Sequence, residues 1–219
     1  MQNWKVNLHL ARYSELLLYR ARFETDLSDD EHIRAARLLT DDLRAKYIVG
    51  RGFLRHTLGQ YLNTPIMFHY GKRNKPTISG ISFNLSHSED VLLLAITSGE
   101  VLLGVDVEAM RPMKEMPTVA RDNFSPHEYQ QWSALPQEKR PAAFYTCWTR
   151  KEAYIKAVGD GFALPLDAFD VTFTPEEPPR LLRAEGDDPA RWSLYHLEPA
   201  AGYVGALCIA GNAELIYQF

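Results

Sequence analysis

The stretch Gly104-Val105-Asp106-Val107-Glu108 restricts this chain more than any other. Its alternation of small apolar and acidic residues has the two-residue period of a β-strand, on which successive side chains face opposite ways. Asp106 and Glu108 are therefore expected to project from one face, with Cα atoms roughly 6–7 Å apart, while Val105 and Val107 face the other. The apolar run Val101-Leu102-Leu103 precedes them. Carboxylates paired in such a setting repel each other and are costly to desolvate. These residues leave two readings open. Either the pair holds a divalent cation with bound phosphate, or it is a strand end whose acids face water.

The rest of the chain limits the partners. With 219 residues, 46% of them hydrophobic, it is long enough for one large domain or two small ones sharing a core. A net charge of −4 gives no general attraction to nucleic acid or anionic lipid, so a phosphate site must be local. The longest apolar runs, such as Val91 to Ile96, are too short to span a bilayer, and Met1-Gln2-Asn3-Trp4-Lys5 lacks the apolar core of a signal peptide. The expectation is a soluble cytoplasmic protein with no nucleic-acid or membrane partner. Cys147 and Cys208 match no zinc spacing and read as small buried apolar residues.

In the first part of the chain, Trp4, Val6, Leu8 and Leu10 alternate as in a half-buried strand. Ser28-Asp29-Asp30-Glu31 has the spacing of a capping box and starts a helix. A second helix is expected from Thr40 or Asp41 to about Leu62, with Leu43, Tyr47, Gly50, Leu54, Leu58 and Tyr61 on its buried face. Arg44, Arg51 and Arg55 form a stripe beside that face, either solvated or gripping phosphate. Ile66 to Tyr70 reads as a strand, and Gly71-Lys72-Arg73-Asn74-Lys75-Pro76 as a basic turn in which Pro76 restrains the backbone of Lys75. Ile81, Phe83 and Leu85 alternate into Ser86-His87-Ser88. Ser86 and His87 are candidates for hydrogen bonds to phosphate, against the plainer reading of a turn histidine satisfied locally. A serine hydrolase is rejected, because neighbours on a strand point apart and no G-x-S-x-G elbow is present.

After Glu108, the stretch Ala109 to Pro117 is proline-broken and reads as a loop between halves. Ser125-Pro126-His127-Glu128 starts a short helix through Trp132. Phe144, Trp148, Lys151, Ile155 and Val158 have helical spacing, closed by Gly159 and Gly161. Glu152 and Lys156 share one face of that helix, which by itself indicates no more than a surface ion pair. Phe169 to Phe173, Trp192 to Leu197, Tyr203 to Ile209 and Glu214 to Tyr217 read as an antiparallel set of strands.

Taken together and in order, Asn84-Leu85-Ser86-His87-Ser88, Gly104-Val105-Asp106-Val107-Glu108 and Trp148-Thr149-Arg150-Lys151-Glu152-Ala153-Tyr154-Ile155-Lys156 resemble the motifs of the 4′-phosphopantetheinyl transferases. The resemblance is to the longer, monomeric type that activates surfactin synthetase. Asn74-Lys75-Pro76 upstream and Gly161-Phe162-Ala163-Leu164-Pro165-Leu166 downstream extend it, so that it covers Arg34 to Phe173. It implies an α+β fold of two α/β halves related by a pseudo-twofold axis, each with a small, mainly antiparallel sheet packed by helices. The halves would be residues 1–105 and 106–219, with the active site in the cleft between them. Asp106, Glu108 and Glu152 resemble the metal-binding acids, for Mg²⁺ or Mn²⁺, and Lys156 resembles the lysine beside the reacting phosphate. Arg34, Lys75, Ser86 and His87 resemble ligands of the coenzyme A phosphates. Glu31 stands where some relatives have lysine, and Asn74 replaces the usual glycine before Lys-Pro; Arg51 is a candidate to compensate.

The implied reaction moves phosphopantetheine from coenzyme A to a serine of an apo acyl or peptidyl carrier protein and releases 3′,5′-ADP, with Glu152 as candidate base and Asp106 and Lys156 as its catalytic companions. A metal-dependent phosphohydrolase and a non-catalytic coenzyme A or carrier-binding protein are the alternatives. Met113, Met116 and Phe124 form either a carrier-docking surface or core.

Overall fold

The structure is a computed structural model that describes residues 2–70, 75–159 and 164–218. Most of the basic turn (Gly71 to Asn74) and Gly161-Phe162-Ala163 lie outside the described residues. Strand β1 (Asn3–Arg12) leads through α1 (Tyr13–Leu16), a single 3-10 turn and α2 (Arg20–Thr25) to helices α3 (Asp29–Ala36) and α4 (Asp41–Gly59). A small hairpin of β2 (His69–Tyr70) and β3 (Pro76–Thr77) precedes β4 (Ile81–Ser88), β5 (Val91–Ser98) and β6 (Leu103–Ala109). Three helices follow: α5 (Met116–Asn123), α6 (Pro126–Ala134) and α7 (Arg140–Val158). The remaining strands are β7 (Phe169–Val171), β8 (Leu181–Ala184), β9 (Trp192–Leu197), β10 (Tyr203–Ala210) and β11 (Asn212–Gln218).

The helix starts follow their caps. Glu31 accepts from the Ser28 amide at 3.0 Å, and the Thr40 hydroxyl accepts from the Leu43 amide at 3.2 Å. Ser125 and Glu128 make the reciprocal pair, at 3.1 and 2.9 Å. Gly159 ends α7 in the left-handed region at φ 79°, where a residue without Cβ has no steric penalty. Helix α4 stops at Gly59, short of Leu62, and Leu43 in its first turn is 48% exposed because it lies beyond the edge of the core.

Two principal sheets of mixed α+β character result, with strand orders β11-β1-β5-β4 and β6-β10-β9. Strand β5 is buried on both faces. Leu92, Leu94 and Ile96 pack with Ile48, Leu54 and Leu58 of α4, while Val91, Leu93 and Ala95 join Val105, Val107, Leu207 and Ile209 between the sheets. On the far side of the second sheet, α7 packs Phe144, Tyr154 and Ile155 with Ala206 and Cys208. Both cysteines are fully buried and free.

Several elements differ from the sequence expectation, among them Ile66 to Tyr70, of which only His69 and Tyr70 are strand. Strand β11 does not extend the C-terminal antiparallel set; it runs parallel to β1, from Asn3 opposite Asn212 to His9 opposite Gln218. Gly211, at φ 100°, permits the switch: a Cβ there would stand 2.8 Å from the Gln2 carbonyl, and the next amide donates to that same carbonyl at 2.9 Å. Helix α5 replaces the end of the expected Ala109–Pro117 loop and buries Met116 and Ala120, and Met116 and Phe124 are 5% and 3% exposed. Those two are therefore core and not docking surface. Strand β8 pairs with β7 where no alternation announced it.

The charges of the α7 motif are buried more deeply than a surface helix would allow. Lys151 is fully buried and donates to Glu128 Oε2 and to the Phe169 carbonyl, both at 2.6 Å. Glu128 also accepts from the Val171 amide at 2.8 Å, so one ion pair joins α6, α7 and β7. Removing one partner of such a pair costs about 3–5 kcal/mol, because the other charge stays buried. We expect Glu128→Ala to lower the free energy of urea unfolding by that amount, and Glu128→Leu combined with Lys151→Met to recover only part of it, because the Ser125 and Val171 amides and the Phe169 carbonyl stay unpaired.

Candidate active site

Gly104 sets the geometry of the centre. A Cβ at this position would lie 2.1 Å from the Ala153 carbonyl oxygen and 2.4 Å from the Ala157 amide, so only glycine lets β6 lie directly on α7. Lys75 closes the same junction, its ammonium donating to the carbonyls of Lys156 at 2.6 Å and Leu103 at 3.3 Å. With Val105 and Val107 fully buried between the sheets, Asp106 and Glu108 turn to the face that Gly104 presents to α7, as the strand alternation requires.

Strands β4 and β6 run side by side without a backbone ladder. Instead, alternate side chains of β4 accept from backbone amides of the β6 stretch: Ser82 from Val101 at 2.9 Å, Asn84 from Val105 at 2.8 Å, Ser86 from Val107 at 3.4 Å and Ser88 from Ala109 at 3.2 Å. The last two hydroxyls also donate to the acids, Ser86 to Asp106 Oδ1 at 2.8 Å and Ser88 to Glu108 Oε2 at 2.7 Å. Lys156 reaches across from α7 to Asp106 Oδ1 at 2.6 Å and Ser86 at 3.0 Å. It pairs with Asp106 and not with Glu152, its neighbour on the helix face.

The acids feel one another. Burial raises the pKa of Glu152, and the charges of Asp106 and Glu108 raise it further against the opposing Lys156. Burial also raises Glu108, with Asp106 adding to the effect and the Ser88 hydrogen bond opposing it. The same surroundings act oppositely on cations: burial, helped by the charge of Lys156, brings Lys75 down to about 8. The His87 ring stands edge-on to Tyr13 with centroids 5.9 Å apart, and desolvation together with Lys156 lowers its pKa.

Among the described residues no group of three or more His, Cys, Asp or Glu side chains is arranged so that it could hold a metal ion as it stands. The donor chemistry nevertheless fits a hard cation. Asp106 is 4% exposed, and its Oδ2 is buried with no hydrogen-bond partner, while Glu152 makes no hydrogen bond or ion pair to a described residue. Carboxylates close enough for Asp106 to raise the pKa of both Glu108 and Glu152 are the kind of oxygen donors that Mg²⁺ takes.

The remaining expected residues are placed unevenly. Arg34 is exposed on α3, and its side chain makes no hydrogen bond or ion pair with a described residue. The α4 stripe is not a free phosphate grip. Arg44 pairs with Asp41 at 2.7 Å, and Arg51 and Arg55 both hold the buried Glu31 at 2.5 Å. Burial alone would raise Glu31, but hydrogen bonds from Arg55, Ser28 and Arg51 outweigh it and keep its pKa below the usual value. Arg51 also donates to the Tyr70 hydroxyl and covers the Phe68 ring at 4.3 Å. A cleft of about 520 Å³ opens beside His87, with Tyr13, Lys46, Tyr47 and Arg51 among its walls. Sequence reasoning passed over Lys46, whose only signal was its place beside Arg44, and the roles of Asn84 and Ser88 as seam residues.

These elements define a transferase of the phosphopantetheinyl class. The chain belongs to the 4′-phosphopantetheinyl transferase superfamily, whose sequence profile matches residues 102–208. It is 39% identical to the 4′-phosphopantetheinyl transferase HetI of Nostoc sp. over 194 residues, which cover 84% of this chain and 79% of that protein. It is 31% identical to the 4′-phosphopantetheinyl transferase psf-1 of Bacillus pumilus, covering 78% and 73%, and 29% identical to Sfp of Bacillus subtilis, covering 80% and 75%. Its activity is transfer of phosphopantetheine to carrier proteins. Overpacking a close contact costs about 1–3 kcal/mol. We expect Gly104→Ala to lose about that much stability and to cut transfer at least tenfold, measured by unfolding and by carrier modification, because α7 must carry Glu152 and Lys156 away from Asp106 and Glu108.

Proposed function

We propose that this enzyme takes coenzyme A as donor and modifies a serine of an apo acyl or peptidyl carrier protein, with the cluster around Asp106 as its reaction centre. One observation carries the assignment: Asp106 is buried with one oxygen held by Ser86 and Lys156 and the other unpartnered, facing two acids whose pKa values it raises. Asp106, Glu108 and Glu152 would hold Mg²⁺, or Mn²⁺ in its place. When bound, the ion supplies electrostatic stabilisation for the pyrophosphate and its leaving oxygen.

The chain's own groups do the rest. Glu152 accepts the proton of the incoming serine hydroxyl, from a carboxylate that burial and the charges of Asp106 and Glu108 raise in pKa when no ion is bound. The serine oxygen forms a bond to the phosphorus that carries pantetheine as the bond from that phosphorus to the 3′,5′-ADP oxygen breaks. Lys156 neutralises charge on the phosphoryl oxygens, at the cost of its contact with Asp106. Lys75, Ser86, His87 and Arg34 hold the coenzyme A phosphates. Lys75 would leave its two carbonyl partners to do so, and its depressed pKa makes its charge dependent on what binds there.

In this reading two halves, residues 1–105 and 106–219, are related by a pseudo-twofold axis and enclose the donor between them. Their long helices α4 and α7, each of 19 residues against its own sheet, support it. With both halves in one chain the enzyme works as a cytoplasmic monomer. No described helix is long and apolar enough to cross a membrane.

Incubation with Mg²⁺, coenzyme A and an apo carrier should add one phosphopantetheine mass to the carrier. Hydrolysed coenzyme A with an unmodified carrier would instead identify a phosphohydrolase. Asp106→Ala and Glu152→Ala should abolish the mass gain with the fold intact by circular dichroism. Lys75→Ala should chiefly raise the KM for coenzyme A, and an unchanged KM removes Lys75 from the phosphate site.

The pH dependence has a defined sign. A base with a raised pKa is lost by protonation at a pH above the ordinary glutamate value of 4.5. In the metal-free protein, Glu152 and Glu108 should therefore take up protons above pH 4.5 as a coupled group, read by NMR titration of the carboxyl carbons, and Mg²⁺ should lower that value. A metal-free titration at or below that value counts against the buried, acid-crowded setting of Glu152.

A further inference from the structure

The contacts between β4 and β6 repeat with a fixed offset. Ser86 donates to Asp106 and accepts from Val107, and two residues on, Ser88 donates to Glu108 and accepts from Ala109. A serine hydroxyl has one proton and two lone pairs. Once a backbone amide occupies one lone pair of Ser88, its proton is directed at the Glu108 carboxylate. The two teeth are not equivalent, because Ser86 also receives Lys156 and Asp106 is held by that lysine as well. Glu108, half-buried, has no other hydrogen-bond or ion-pair partner among the described residues. Its orientation depends on one hydroxyl, and that hydroxyl comes from the other half of the molecule.

We propose that Ser88 is a positioning residue: its hydroxyl, fixed by the Ala109 amide, aims the Glu108 carboxylate toward the position shared with Asp106 and Glu152, so that the cation site is complete only while β4 lies against β6. The inference rests on the metal-site reading above and adds a residue that the sequence motif placed only as a neighbour of His87. Its ligand is a divalent cation of the Mg²⁺ class, taken by oxygen donors. Partners that orient metal-binding carboxylates typically contribute 10–100-fold in affinity, a scale that sets the expected effect at roughly that size.

Ser82 provides the control. It is a tooth of the same seam, accepting from Val101 at 2.9 Å and donating to the Gly99 carbonyl at 3.1 Å, but it touches no acid. The experiment measures Mn²⁺ binding directly, by the electron paramagnetic resonance signal of the free ion, for the full chain with coenzyme A present. Ser88→Ala should weaken Mn²⁺ binding roughly 10–100-fold. Ser88→Thr, which keeps the hydroxyl, should restore it, and Ser82→Ala should leave it unchanged even if its thermal midpoint falls. If Ser88→Ala is too unstable to assay, Ser88→Cys, nearly isosteric but a weak donor, should show the same loss. Wild-type affinity in Ser88→Ala or Ser88→Cys overturns the proposal, and so does an equal loss in Ser82→Ala, which would mark a general weakening of the seam. Failure of the wild-type protein to bind Mn²⁺ at all overturns the metal-site reading and this proposal with it.

Discussion

The seam between β4 and β6 is the constraint on which the rest of the structure depends. Two sheets meet along these strands without exchanging backbone hydrogen bonds, and four polar side chains of β4 satisfy the amides that a ladder would otherwise have paired. Buried backbone donors must find acceptors somewhere. Meeting that requirement with side chains sets the strands farther apart than a ladder would, and the reach of Ser86 and Ser88 is used twice, for an amide and for an acid. The join between the sheets and the setting of the acids are thus one set of contacts.

Around that seam, charge has been buried in quantity. Asp106 with Lys156, Glu128 with Lys151, and Glu31 with Arg51 and Arg55 each place a carboxylate in the interior or at its edge. They are not alike in completeness. The Glu128 pair has its oxygens filled by Ser125, Val171 and Lys151, and the two Glu31 oxygens are filled by Ser28, Arg51 and Arg55. Only the Asp106 cluster leaves a buried carboxylate oxygen open beside two further acids with raised pKa values. Full pairing describes the parts that hold the fold. Asp170 also has a buried oxygen without a partner, but only at Asp106 does the open oxygen lie with two acids whose pKa values it raises, the arrangement of a part poised for a ligand.

Much of this was legible in order along the chain. The alternation in Gly104 to Glu108 correctly assigned both faces of β6, and the Ser125-x-x-Glu128 box correctly started α6. The two glycine roles were only half legible. Gly159 as a helix stop follows from local rules, but the need for Gly104 arises from Ala153 and Ala157, which the sequence keeps about fifty positions away. The arginine stripe misled for a related reason: helical spacing places Arg51 and Arg55 on one face, but whether that face meets solvent, phosphate or Glu31 depends on where α3 packs.

By itself the sequence determined the local states, the caps, the direction in which each acid points, and, through three motifs in register, the family. Those properties depend on covalent geometry and on spacing within one element. Tertiary structure alone decided which strand β11 would join, which amides Ser82, Asn84, Ser86 and Ser88 would serve, and that Lys156 would turn to Asp106 and not to Glu152. Each of these is a choice among partners distant in sequence. The free energy that settles it comes from desolvating both members together, a quantity no single segment carries.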